Sequence, residues 1–179
     1  MEKMGGAVEH LGDKLAPLFT MFANNPLLGL LAGIILTAVV QSSSASVGIL
    51  QSLTMAGGIT FGAAIPIIMG QNIGTCVTAM ISSLSANRNG KRAAMIHLYF
   101  NVIAVVIVLS GFYIINAIFG CFDTFIAGTI KPFGVAAVHT VFKLIAVALL
   151  LPFYRQLERL AHVSIPDSKD DREEKTAML

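Results

Sequence analysis

The segment TAVVQSSSASVGIL, residues 37–50, sets Gln41, Ser42, Ser43 and Ser44 in an otherwise apolar stretch. Further on, Gly70-Gln71-Asn72-Ile73-Gly74 places two amides between two glycines, and Thr75, Thr78 and Ser82 follow Gln71 along one helical face. None of these side chains is charged. Hydroxyls and the free backbone N–H groups at a helix start attract anions, whereas amide and hydroxyl oxygens suit a hard cation. Ser42, Ser43 and Ser44 therefore read as donors to an anion, and Gln41, Asn72 and Thr75 as neutral oxygens suited to a hard cation. An anion and a sodium ion bound side by side neutralise each other, so a charge-free site suits a co-transported salt better than either ion alone. The same residues also have plainer readings: serine hydroxyls bonded back to helix carbonyls, and polar stripes that join helices at about 0.6 to 2 kcal/mol per bond.

The elements that must position these groups belong in a membrane. The chain has 179 residues, 55% of them hydrophobic and 12% charged, about half the charged fraction of a soluble domain. From Leu15 to Asn87 there is no Asp, Glu, Lys, Arg or His, as expected of segments that cannot bring charges to water. A net charge of +2 is too small to imply nucleic acid, and Cys76 and Cys121 have no metal-ligand spacing. Apolar periodicity from Val8 to Met21 predicts an amphipathic lead-in helix within residues 1–25. Asn25-Pro26 ends it, and the N-terminus lacks the pattern of a cleavable signal.

Residues 26–40 reach roughly 22 Å as helix, short of a hydrocarbon core of about 30 Å. A second short apolar piece, 45–59, follows the polar tetrad and ends at Gly57-Gly58. The pair predicts a re-entrant hairpin over 26–59 with its tip at Gln41 to Ser44, allowed only where the tip is buried in protein or lines water; one long span from Pro26 to Met55 is the alternative. Residues 61–86 suffice to cross, but Gly70 and Gly74 predict a broken span. Two further spans are expected at 93–119 and 133–154, then a charged tail over 155–179. Arg88, Lys91, Arg92, Arg155 and Arg159 place their segments inside, so the C-terminus is expected in the cytoplasm, the 120–132 loop outside, and the hairpin entering from outside. His97 with Asn101, and His139 with Lys143, lie one turn apart within spans. Intramembrane ionisable groups are functional candidates; the plainer reading is that they satisfy helix contacts.

The motifs QSSSAS and GQNIGTCVTA resemble the repeat unit of the type II sodium/phosphate cotransporters, specifically the bacterial branch, from Pro26 to about Phe153. The resemblance implies an all-α integral membrane fold: a re-entrant helical hairpin, a broken transmembrane helix and two further spans, forming one half of an inverted-repeat transporter. It implies sodium-coupled transport of inorganic phosphate across a bacterial inner (plasma) membrane. Phosphate is implied at Gln41, Ser42, Ser43, Ser44, Asn72 and Thr75, and sodium at Gln41, Ser44, Gln71, Asn72, Thr75 and Thr78. Sodium is the coupling ion, with no other cofactor or metal. The implied partners are phosphate, sodium, the lipid bilayer and a second repeat, from the same longer chain or another copy, without which no transport is expected.

HLYFNVI, residues 97–103, also looks like that family's span after the motif, whereas Lys143 stands where an Asn is expected. RQLERLAHV, from Arg155, resembles the first turns of a PhoU-like cytoplasmic domain. Two other classes compete: a channel-like or structural membrane subunit, since polar broken helices also line pores, and an intramembrane serine hydrolase using Ser44 with His97 or His139. The hydrolase lacks a G-x-S-x-G elbow and any acid within a span to orient the histidine.

Overall fold

The structure, a computed structural model, describes residues 17, 20–55 and 59–166. Among these, the chain is helical: α1 (Pro26–Val40), α2 (Ser43–Met55), α3 (Phe61–Ser83), α4 (Arg88–Phe119), α5 (Asp123–Ala127), α6 (Pro132–Leu150), a 3-10 turn Leu151–Phe153 and α7 (Tyr154–Ser164). Most of the expected lead-in helix, the Gly57-Gly58 end of the hairpin and the tail from 167 lie outside the described residues.

Local chemistry sets the helix ends. Asn25 Oδ1 accepts from the Leu27 N–H at 3.1 Å, and Pro26 suits the first turn, so α1 starts there. It stops where Gln41 turns left-handed at φ 54°, its N–H bonding Thr37 O at 2.7 Å. Ser42 then opens α2, its Oγ accepting from Ala45 N–H at 3.3 Å and its carbonyl from Ser46 N–H at 2.9 Å. The alternative of one unbroken span from Pro26 to Met55 is thereby excluded.

The break expected at Gly70 to Gly74 is absent: α3 runs without interruption from Phe61 to Ser83, even through Pro66. The reason is packing. A Cβ on Gly70 would lie 2.0 Å from Leu30 O, one on Gly33 2.0 Å from Ile67 O, and one on Gly74 2.6 Å from Ile34 O. The glycines let α1 and α3 touch backbone to backbone, and close approach, not unwinding, is what they supply. Contacts run from Gly29 against Pro66 to Gly74 against Thr37, so the two helices are parallel. In α2 the direction reverses: Ser46 meets Gln71, while Leu50 packs with Ala63, Ala64, Ile67 and Ile68.

On the other flank of α3, Ile65 and Met69 pack with Val105 and Leu109 of α4 and Phe142 and Ala146 of α6. At one end of the molecule the hairpin base meets the α4–α6 link. There Phe61 N–H bonds Gly128 O and Ile130 N–H bonds Ile59 O, both at 2.9 Å, and Gln51 Nε2 donates to Pro132 O at 3.0 Å. At the opposite end α7 folds onto the start of α4: Arg88 Nη1 donates to Pro166 O at 2.7 Å, Arg92 Nε to Ile165 O at 3.0 Å, and the Tyr99 and Ser164 hydroxyls pair at 2.6 Å. The expected tail thus begins as a docked helix with Leu157 and Ala161 buried. Phe61–Ser83, Arg88–Phe119 and Pro132–Ser164 are three stretches long and apolar enough to cross a membrane, whereas Pro26–Val40 is too short. The protein is a multi-pass membrane protein.

Candidate functional site

The polar residues of the hairpin and of α3 meet just below the hairpin tip. Thr37 and Ser46, flanking the turn on α1 and α2, are both buried and pair hydroxyl to hydroxyl at 2.7 Å. Gln71 on α3 is 1% exposed, and its Nε2 donates to Ser46 O at 3.0 Å. That bond uses the amide nitrogen only. Gln71 Oε1 is buried without a hydrogen-bond partner among the described residues. An unpaired buried carbonyl costs about 1–3 kcal/mol, a deficit that a cation ligand would remove.

The neighbouring residues are satisfied. Asn72, 2% exposed, donates from Nδ2 to Ile68 O at 2.8 Å, and Thr75 Oγ1 donates to Gln71 O at 2.8 Å. Both bonds lie within α3, so Asn72 and Thr75 keep their side-chain oxygens as acceptors. Carrying the Thr37–Gly74 contact one turn on brings Gln41 level with Thr78, which is half-buried. At the tip itself Gln41, Ser42 and Ser44 are exposed and Ser43 is half-buried.

The structure therefore joins Gln71 to the hairpin and sets Thr78 at tip level with Thr75 about one turn below, but makes no hydrogen bond between the tip serines and Asn72. Thr37 and Ser46 were missed as site residues. A signal was present: Thr37 is the sole polar side chain of α1, and Ser46 extends the serine run by one small residue. Among the described residues no group of three His, Cys, Asp or Glu can hold a metal ion. Neutral oxygens at hydroxyl and amide groups are the donor set here, which matches a weakly bound alkali cation better than a transition metal.

The Na+/Pi-cotransporter family matches this chain over residues 1–152. The chain belongs to that family. Within it, the uncharacterized protein YqeW of Bacillus subtilis is 34% identical over 137 residues, 76% of this chain and 43% of YqeW. Human sodium-dependent phosphate transport protein 2B is 38% identical over 118 residues, 61% of this chain and 17% of the human protein. The rat protein 2A is 42% identical over 118 residues, 61% of this chain and 18% of the rat protein. The chain thus spans less than half the length of these curated relatives. No solved structure matches it. Family members are transporters rather than enzymes, which disposes of the hydrolase reading; among the described residues no histidine hydrogen-bonds Ser44.

Proposed function

We propose that this chain supplies one repeat of a sodium-coupled inorganic phosphate transporter, its hairpin and α3 forming half of a site completed by a second repeat of inverted topology. The observation that carries this reading is the buried, unpartnered Oε1 of Gln71, held by Ser46 directly beneath an exposed polar tip. Ser42, Ser43 and Ser44 donate hydroxyls and helix-start N–H groups to phosphate, joined by Gln41, Asn72 and Thr75. Sodium is coordinated by oxygens from Gln41, Ser44, Gln71, Asn72, Thr75 and Thr78. Family membership supports the substrate class, and the absence of fixed charge from these residues supports binding of anion and cation together.

The test is labelled phosphate uptake into vesicles carrying the complete transporter, under an inward sodium gradient with and without a sodium ionophore. Ser43→Ala with Ser44→Ala is expected to abolish gradient-driven uptake at normal protein yield. Undiminished uptake in the double variant overturns the assignment, and phosphate flux indifferent to the ionophore favours a pore.

The same reading places the protein in a bacterial inner membrane with the Arg88 to Arg92 cluster and α7 in the cytoplasm. It is supported by the clustering of the hairpin base and the 120–132 link at one end and the basic residues at the other. In a Cys-free background, a cysteine at Thr129 should react with an impermeant reagent from outside and one at Asn89 should not. The opposite pattern reverses the topology.

A further inference from the structure

Lys143 lies well inside α6 (Pro132–Leu150), within a stretch long and apolar enough to cross a membrane. Its ammonium donates to Asn101 Oδ1 at 3.2 Å; Asn101 is 1% exposed, and its own amide donates to His97 O at 2.9 Å. That is one neutral acceptor for a group with three N–H donors and a full charge. No Asp or Glu occurs in residues 14–122 or 124–157, and among the described residues no carboxylate pairs with Lys143. A cation at this depth is costly unless it is paired or faces a watery cavity.

It faces a cavity. About 390 Å³ of space between α2 and α6 is lined by Val47, Ala136, His139, Thr140, Lys143 and Leu144. His139 and Lys143 are one turn apart on α6, with Thr140 next to His139. Among the described residues neither the His139 nor the Thr140 side chain makes a hydrogen bond. A lysine, a threonine and a histidine thus line one opening without an acid among them, the lysine ammonium being held from the α4 side by Asn101. Val47 adjoins Ser46, which holds Gln71, so the cavity lies at the depth of that contact, one residue along α2.

We propose that this cavity is a second anion site, taking a tetrahedral oxyanion of the phosphate class on Lys143, Thr140 and His139. The fixed positive charge of Lys143 disfavours a metal ion here, and its ammonium has no lone pair to give. Charge-assisted bonds from lysine to phosphate oxygens are short and strong, more so away from bulk water. Depth sets a dissolved anion apart from a lipid headgroup, which stays at the membrane surface. This site differs from the hairpin in kind: its countercharge is covalently attached, so an anion resting there needs no sodium. The inference takes its ligand class from the transport reading and stands apart from it in its sodium dependence.

The experiment measures binding of radiolabelled inorganic phosphate to the complete transporter in phosphatidylcholine nanodiscs, by equilibrium dialysis in sodium and in choline. A sodium-independent component is expected beside the sodium-dependent one. Lys143→Met should weaken the sodium-independent component about tenfold or more, Lys143→Arg should largely retain it, and Thr140→Val should weaken it a few-fold. Ser43→Ala with Ser44→Ala should remove only the sodium-dependent component. Thermal unfolding of each variant confirms folding, and Thr140→Val serves if Lys143→Met does not fold. Absence of sodium-independent binding in the wild type, or its survival at full strength in Lys143→Met or Thr140→Val, overturns the proposal. Competition by added phosphatidylglycerol in the discs also overturns it, assigning the cavity to a lipid headgroup. Absence of the sodium-dependent component in the wild type, or its survival in Ser43→Ala with Ser44→Ala, counts against the hairpin reading and leaves this one standing.

Discussion

Where α3 meets α1, Gly33 and Gly70 bring the two backbones together; where it meets α4 and α6, Ile65, Met69, Leu109 and Phe142 keep them a side chain apart. The two flanks also differ in what they leave uncovered. In their most apolar stretches α3 is 61% buried, against 17% for α4 and 22% for the α6–α7 stretch, so α3 is the central helix and the other two present their outer faces to lipid. Lipid tails are as apolar as leucine, so association in a membrane draws on close packing and hydrogen bonds more than on escape from water. The buried polar contacts of Thr37, Ser46 and Gln71 sit on the glycine-packed flank. A polar site held there has little freedom to shift, whereas contacts through long side chains tolerate sliding.

The strongest way to break that contrast is to add bulk at the crossing. Gly33→Ala or Gly70→Ala places a methyl 2.0 Å from a backbone carbonyl and should cost about 3 kcal/mol or more, beyond any gain in helix propensity. Leucine at either position should prevent folding, read as loss of monodisperse protein on size exclusion. Near-normal unfolding temperatures in the alanine variants would mean that the two backbones are not in contact.

Thr37→Val, measured the same way, tests the hydroxyl pair with Ser46 and should cost about 1 kcal/mol. A smaller change is expected for Gln71→Leu. It forfeits the bond to Ser46 but also removes the unpaired oxygen, so stability should stay within about 1 kcal/mol while sodium-dependent phosphate uptake falls sharply. Large destabilisation with normal uptake would make Gln71 a structural residue. Least of all, Gly111→Ala in α4 meets nothing within 4 Å and should leave stability unchanged or raise it by up to about 1 kcal/mol.

The apolar runs of α3, α4 and α6, and the polar interruption between α1 and α2, were legible because hydrophobicity and its gaps are local properties. Gly70 and Gly74 were misread as a break because a glycine in a helix has two explanations, lost propensity and close approach. Only the partner helix, with Leu30 and Ile34 against them, decides between the two. The charged segment from Arg155 suggests helical turns through RQLERLAHV, but that Leu157 and Ala161 are the buried positions is evident only once α4 lies alongside. At the site, residue types announced oxygen donors, but which oxygens face each other is a tertiary fact. Gln71 reaches across to α2, whereas Asn72 beside it turns back to its own helix.

One detail of the hairpin turn bears on how this molecule balances durability against activity. Gln41 occupies φ 54°, a backbone region where a glycine is at ease and an ordinary side chain costs about 1–2 kcal/mol. A chain optimised for endurance alone would place glycine there. Glutamine at this point is a standing strain, which the proposed role of its amide in the site would explain; Gln41→Gly in the complete transporter is expected to raise the unfolding temperature while lowering phosphate uptake.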